Sequence, residues 1–313
     1  MDVLIIGCGV SGLSTGIRLL EAGYNARIIA SDLPPNTTSN VAAAVWYPYK
    51  AYPEDLVLAW SKVAYAEQVR LIDIPESGVI MRTGIELFHE PVPDPWWKTA
   101  VPDFRRATSA DMPPGFATGF IFSAPVIEMP IHLTYLMRCF TALGGQIEQR
   151  VLHSIDQALA ESDLVVDCAG LGARKLVGDS SLIAIRGQIV RVEQVGLDRF
   201  IFDDYGPGGV TYIVPRANDI ILGGTAQEGD ENIIPDPPTA QAILQRCIAL
   251  EPRLAEAKIL EHRVGLRPGR PHIRLELEHL ANNKRLIHNY GHGGAGVTLS
   301  WGCADSVVQL ARQ

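Results

Sequence analysis

The opening of the chain restricts its fold more than any other stretch. Asp2 to Ile6 is a short apolar run leading into G-C-G-V-S-G, which sets Gly7, Gly9 and Gly12 at the spacing G-x-G-x-x-G. Behind it Val10, Leu13, Ile17 and Leu20 share one face of a helix ending at Ala22-Gly23, and a second apolar run, Ala26 to Ala30, follows. Strand, glycine turn, helix, strand is the context in which this spacing binds a dinucleotide. Gly7 permits the tight turn, Gly9 lets the backbone approach the pyrophosphate, and Gly12 allows close helix packing. Val10 and Ser11 open the helix, whose N-terminus receives the phosphate charge. An acid about 20 residues further on should hold the ribose hydroxyls. Asp32, with Ser31 beside it, stands at that distance from Gly12.

The loop after Asp32 is marked by two prolines and a polar run, Asn36 to Asn40. Val41 to Val45 is small enough for a ring system to lie against the backbone. Helices are expected over 55–73, 129–143, 239–250 and from about 297 to the C-terminus. Strands are expected over 77–90, 145–152, 164–170, 183–193, 200–204 and 284–290. A hairpin over 210–227 should turn near Ala217-Asn218-Asp219. LVVDCAG, ending at Ala169-Gly170, has the continuous apolar character of a buried parallel strand and offers a third dinucleotide contact. Trp96-Trp97 reads as packing.

Thirteen residues near the end, HRVGLRPGRPHIR, carry Arg263, Arg267, Arg270 and Arg274 among prolines and glycines, in a chain of net charge -8. A guanidinium on a stiff, Pro-flanked segment suits bidentate capture of a carboxylate; the plainer alternative is a surface loop whose arginines pair with acids. The negative charge argues against nucleic acid or an anionic membrane as the main partner. Five scattered cysteines, without C-x-x-C, fit a reduced compartment. A strand at the very start leaves no room for a signal peptide, and the most apolar span, Gly119 to Met137, contains Glu128 and two prolines. A cytoplasmic enzyme is therefore expected. His288 and His292 fall on a strand and a loop rather than one helix face, so no metal site is expected.

Taken together, GCGVSGLSTGIRLLEAG, NVAAAVWYPY, DCAGLGA, RGQIV, TYIVPR, LGGT, GLRPGRPHIRLE and HNYGHGGAGVTLSWGCA resemble the FAD-dependent D-amino-acid oxidase family in order and spacing over essentially the whole chain. The resemblance implies an α/β fold with α+β elements. Its Rossmann-like FAD-binding domain would comprise residues 1–50, 130–185 and 265–313. A mostly antiparallel substrate domain would comprise 51–129 and 186–264. It implies that Arg267 grips the substrate α-carboxylate, Tyr212 shares it, and the Gly294 carbonyl receives the amine. For FAD it implies Thr37, Thr38 and Ser39 near the phosphates, and Ala43, Ala44, Val45, Val151, Ala169 and Gly170 along the cofactor. Gly293, Gly294, Ala295 and Gly296 would lie at the closing turn with Arg267, and Thr298 at the flavin's pyrimidine edge. Arg274 would support the flavin pocket. The free N–H groups of GHGGAG and the helix behind it would stabilise negative charge on a reduced flavin.

The implied reaction takes hydride from the α-carbon to flavin N5, giving an imino acid that hydrolyses to a 2-oxo acid and ammonia. Molecular oxygen would be converted to hydrogen peroxide, and a homodimer is the candidate assembly. Gly208 replaces the family's first lid tyrosine, so a full lid is not expected, although Tyr205 could substitute. Tyr47 stands where the family's eukaryotic members have glutamine, to supply a hydroxyl or narrow the pocket. Val45, Val214 and Ala226 favour neutral, medium or branched side chains, while Arg216 is a candidate pocket cation. The alternatives are a glycine or N-substituted amino-acid oxidase, a D-amino-acid dehydrogenase, and a flavoprotein that binds nucleotide without turnover.

Overall fold

In the computed structural model, which describes residues 1–313, strand β1 (Asp2–Ile6) is central to a six-stranded sheet. The order is β14 (Arg274–His279), β15 (Arg285–Tyr290), β7 (Leu164–Asp167), β1, β2 (Asn25–Ala30), β6 (Gln146–Gln149). All neighbours are parallel except β14, which runs antiparallel to β15. Strands buried on both faces read as unbroken apolar runs, which is why DVLII and LVVD carry no polar alternation. One face is covered by α1 (Val10–Glu21), α3 (Met129–Ala142) and α7 (Gly296–Ala311), with Leu13, Ile17, Leu133, Phe140 and Trp301 in a shared core. The other carries the short helices α4 (Ile155–Leu159) and α5 (Ala173–Leu176).

Helix α2 (Glu54–Leu71) crosses α7 at Gly302, where a Cβ would stand 2.3 Å from the Trp60 carbonyl oxygen. Trp60 Nε1 donates to Ser306 Oγ (2.9 Å) and Gln68 Nε2 to the Val297 carbonyl (3.0 Å). This packing puts part of the 51–129 stretch beside the first sheet. The expected bounds at 185 and 264 fall inside strands of the second.

That second sheet has nine strands: β3 (Val79–Phe88), β4 (Arg105–Arg106), β5 (Thr118–Ile127), β8 (Ile183–Glu193), β9 (Ile201–Asp203), β10 (Thr211–Pro215), β11 (Asp219–Gly223), β12 (Gln227–Glu228) and β13 (Ile259–Gly269). Its pairs are antiparallel apart from β3 and β9. Helix α6 (Pro237–Leu250) covers one face through Ile243 and Cys247. The other face looks toward the first sheet. The mixed α/β architecture follows the expectation from sequence.

Two expectations are corrected. The plainer alternative for the arginine-proline segment, a surface loop, fails for its first part, and only residues 270–273 lie between strands: Ile259–Gly269, with Arg263 and Arg267, forms an edge strand along β8. Pro268, which has no N–H to donate, is tolerated there because it lies on an edge and near the strand's end. Arg216 is neither solvated nor a pocket cation. It is buried, and both carboxylate oxygens of Asp219 accept from it at 2.6 Å across the hairpin tip. Strands β5 and β14 went unread, the first because its apolar run was weighed only as a membrane span. No helix is long and apolar enough to cross a membrane.

Candidate active site

A cleft of about 750 Å³ runs from the carboxyl end of β2 to the inner face of the nine-stranded sheet. Gly7, Gly9, Val10 and Ser11 line it at the β1–α1 turn, and Ser31 and Asp32 line it at the end of β2. Thr37, Thr38, Ser39, Ala43, Ala44, Val45, Val151, Ala169, Gly170, Gly293, Gly294, Gly296 and Thr298 complete the walls. Gly12 and Ala295 do not reach the cleft. Gly12 lies behind the turn, where a Cβ would stand 1.9 Å from the Gly7 carbonyl oxygen, and Ala295 is a fully buried cap residue.

The turn's backbone supports a phosphate cradle. Gly7 holds φ of +107°, which glycine alone adopts without strain, and Gly9 caps α1 without any side-chain bond. The Val10 N–H donates to Ser39 Oγ (3.1 Å), tying the loop to the helix start. Thr37 is otherwise engaged, because its hydroxyl donates to Asn40 Oδ1 (2.8 Å). Ser31 Oγ donates to Asp32 Oδ2 (2.8 Å), so the two form one polar unit at the mouth. Helix α7 also starts without a side-chain cap. Two uncapped helix starts facing one long cleft, with a wall of small residues between them, fit a dinucleotide carrying a ring system.

The far end of the cleft is explained by sheet register. Directly paired strand residues point to the same face, and residues two apart share it. Tyr212 pairs with Phe202 and Gly223; Gly223 pairs with Ile189, and Ile189 with Arg263. Stepping two and four residues along β13 reaches Gly265 and Arg267. Stepping two along β8 reaches Gly187, and two along β10 reaches Val214. These residues therefore share one face, and Gly187, Gly265, Arg267, Phe202, Tyr212 and Val214 all line the cleft.

Gly187 makes room for the guanidinium, since a Cβ there would meet Arg267 Nη1 at 2.3 Å. A Cβ on Gly294 would lie 3.7 Å from Arg267 Cδ, which brings the closing turn beside the arginine. Arg263, Arg270 and Arg274 each have an acidic partner, Glu261, Asp179 and Glu276 respectively. Arg267 has no acidic partner and donates to the Thr225 carbonyl (3.0 Å). Burial raises the pKa of Tyr212, with Arg267 opposing, so its hydroxyl keeps its proton.

Residues 44–46 are pinned to the end of β5 by a bridge between Val45 and Val126. Alternation there turns Trp46 into the core, where Nε1 donates to the Ser61 carbonyl (2.9 Å), and turns Val45 and Tyr47 toward the cleft. Thr298 Oγ1 donates to the Tyr47 carbonyl (3.0 Å) and accepts from the Tyr47 N–H (3.1 Å), so this hydroxyl serves the loop. The Tyr47 hydroxyl likewise does not face a ligand: it donates to Glu86 Oε1 at 2.5 Å. Arg274 supports the cleft wall through Tyr290, whose hydroxyl accepts from Nη1 at 2.8 Å. Tyr205 is mostly exposed and stacks on Phe88 rather than closing the cleft. His292 lines the cleft, is held near pKa 4 by burial, and has Nε2 3.1 Å from Asn289 Oδ1.

Sequence reading missed Tyr49, Asp204 and Glu86. The first two line the cleft and each has a buried oxygen without a hydrogen-bond partner. Glu86 is the lone acid in the apolar run GIELF, a signal that could have been read. Burial drives its pKa to about 8, against the Tyr47 hydrogen bond. Its proton is held more tightly in the folded than the unfolded state, so the stabilisation is complete below about pH 4.5 and lost as pH rises toward 8. Glu86→Gln is expected to flatten the fall in melting temperature between pH 5 and 8. A variant whose melting temperature falls as steeply as the parent's would contradict this.

Residues 2–310 match the family model described as FAD dependent oxidoreductase. The chain belongs to that family. It is 52% identical over 309 residues to a D-amino-acid oxidase of Rubrobacter xylanophilus, covering 98% of this chain and 95% of that one. It is 43% identical to a D-amino-acid oxidase of Dictyostelium discoideum, over 100% of this chain and 92% of the relative. In fold it superposes on glycine oxidase of Bacillus cereus with a TM-score of 0.80 at 20% identity, over 100% and 95% of the two chains. FAD is the cofactor, in keeping with the uncapped helix starts and glycine turn that line the cleft.

Proposed function

We propose that this chain carries out oxidative deamination of neutral D-amino acids to 2-oxo acids, ammonia and hydrogen peroxide, with molecular oxygen as electron acceptor. The observation that carries the reading is a guanidinium without an acidic partner, Arg267, lying beside Tyr212 and Gly294 at the end of a cleft built for FAD. Arg267 and the Tyr212 hydroxyl donate to the α-carboxylate, and the Gly294 carbonyl accepts from the amine. Two corners of the α-carbon are then fixed, which sets the direction of its C–H bond. FAD supplies the hydride acceptor when bound. Orientation and a fixed set of dipoles suffice for such a step, and no base at the α-carbon is required.

The cofactor rests on Gly7, Gly9, Val10 and Ser11 at the pyrophosphate, on Ser31 and Asp32 at the ribose, and on the Gly293–Gly296 turn at the ring. Val45, Val214 and Ala226 form an apolar wall that excludes water and leaves space for a medium or branched side chain. The homodimer and the cytoplasmic location stand as proposals too, the first to be sized by sedimentation.

An anaerobic titration of the yellow protein tests the chemistry. D-Valine is expected to bleach the flavin and L-valine to leave it oxidised; in air, peroxide should match the D-valine consumed. Faster turnover with glycine or N-methylglycine would replace this reading with an oxidase for those substrates. Bleaching without peroxide would make the protein a dehydrogenase.

A further inference from the structure

Asp204 is the one acid on the cleft wall near Arg267 that the proposed chemistry does not use. It follows β9, two residues beyond Phe202, and so continues the face that carries Phe202 and Tyr212. Its Oδ1 is buried and has no hydrogen-bond partner. Neither Arg267 nor Lys50 closes an ion pair with it, although both cations bear on it electrostatically. The unpartnered hydroxyl of Tyr49 lies in the same neighbourhood and is pushed to a pKa of about 12, by burial first and then by the Asp204 charge. A desolvated carboxylate with spare acceptor capacity is costly unless something completes it.

We propose that Asp204 forms a subsite for a positively charged substrate side chain, so that the pocket accepts D-amino acids ending in an ammonium or guanidinium and rejects acidic ones. This rests on the D-amino-acid reading above and extends it. The α-carboxylate occupies Arg267 and Tyr212, leaving the side chain to run between the apolar wall and Asp204. A terminal cation there supplies the partner that Oδ1 lacks. A side-chain carboxylate would instead meet the Asp204 carboxylate, and two like charges in an apolar pocket repel strongly.

The groups bearing on Asp204 are Arg267 from β13, Tyr47, Tyr49 and Lys50 from the loop after Trp46, Tyr212 from β10, Asp203 and Tyr205 beside it, and Glu86 from β3. Burial lifts Asp204 to about pKa 7, while Arg267 and Lys50 pull it down. The preference for a cationic side chain should therefore strengthen from pH 6 to 8, where a lysine-type ammonium stays charged.

The experiment compares D-lysine with D-norleucine, which lacks only the terminal ammonium, in the holoenzyme and in Asp204→Asn. The expected result is a fall of about tenfold or more in the D-lysine to D-norleucine ratio of kcat/KM in the variant, with the pH dependence of that ratio lost and Asp204→Glu restoring part of it. A ratio unchanged within about twofold overturns the inference, and so does a native enzyme that oxidises D-norleucine but not D-lysine. If no D-amino acid bleaches the flavin, the D-amino-acid reading fails and this subsite fails with it.

Discussion

Arg267→Ala is expected to lower kcat/KM for a D-amino acid by about a thousandfold, while FAD content stays at the parent level. The size follows from the bond lost. Charge-assisted hydrogen bonds contribute about 1.5–3 kcal/mol each, and a fork contact makes two of them. A thousandfold corresponds to about 4 kcal/mol. KM should rise because the carboxylate is held in the ground state, and kcat should fall because the α-carbon is no longer aimed. Arg267→Lys should recover only part of the loss, since a point charge cannot reproduce the planar fork that Gly187 leaves room for. Stopped-flow flavin reduction gives both parameters. A loss below about threefold would remove Arg267 from the site.

Much of this architecture was legible because its causes are local. Glycine spacing, apolar runs of strand length and helical periodicity are written in consecutive residues, so the β1–α1–β2 unit and the closing turn before α7 could be read directly. The convergence of Arg267 and Tyr212 was legible only through family resemblance. It depends on the register of β13, β8, β11 and β10, which no single segment encodes. The same limit explains the missed residues. Asp204 looks like a turn acid until β9 places it on the cleft face, and Arg216 looks like a surface hairpin arginine until Asp219 folds back on it. Tyr47 shows the converse: its position on the wall was foreseen, but its hydroxyl is committed to Glu86, 39 residues away on β3.

Gly12→Ala should give a protein that retains little or no FAD, against the sign that helix propensity alone sets. Within a helix, glycine to alanine ordinarily stabilises by about 0.5–1 kcal/mol. Here the added Cβ would stand 1.9 Å from the Gly7 carbonyl oxygen and 2.9 Å from its carbon, both backbone atoms with no rotamer to yield. The turn cannot retreat either. The Gly7 N–H is bonded to the Ile29 carbonyl and the Cys168 N–H to the Ile6 carbonyl, each at 2.9 Å, and a Cβ on Gly7 would lie 2.5 Å from the Cys168 carbonyl oxygen. Helix α1 must therefore lift away from β1, carrying the Ser11 N–H off the pyrophosphate position and stretching the bond from the Val10 N–H to Ser39. Gly16→Ala, four residues on, meets the Phe140 ring at 2.5 Å and the Ile5 Cδ1 methyl at 3.2 Å, side-chain rather than backbone atoms, so its loss should be smaller. Flavin absorbance per chain and the melting temperature read both effects. A Gly12→Ala protein as yellow and as heat-resistant as the parent would mean that the close approach of α1 to the first turn does not hold the cofactor.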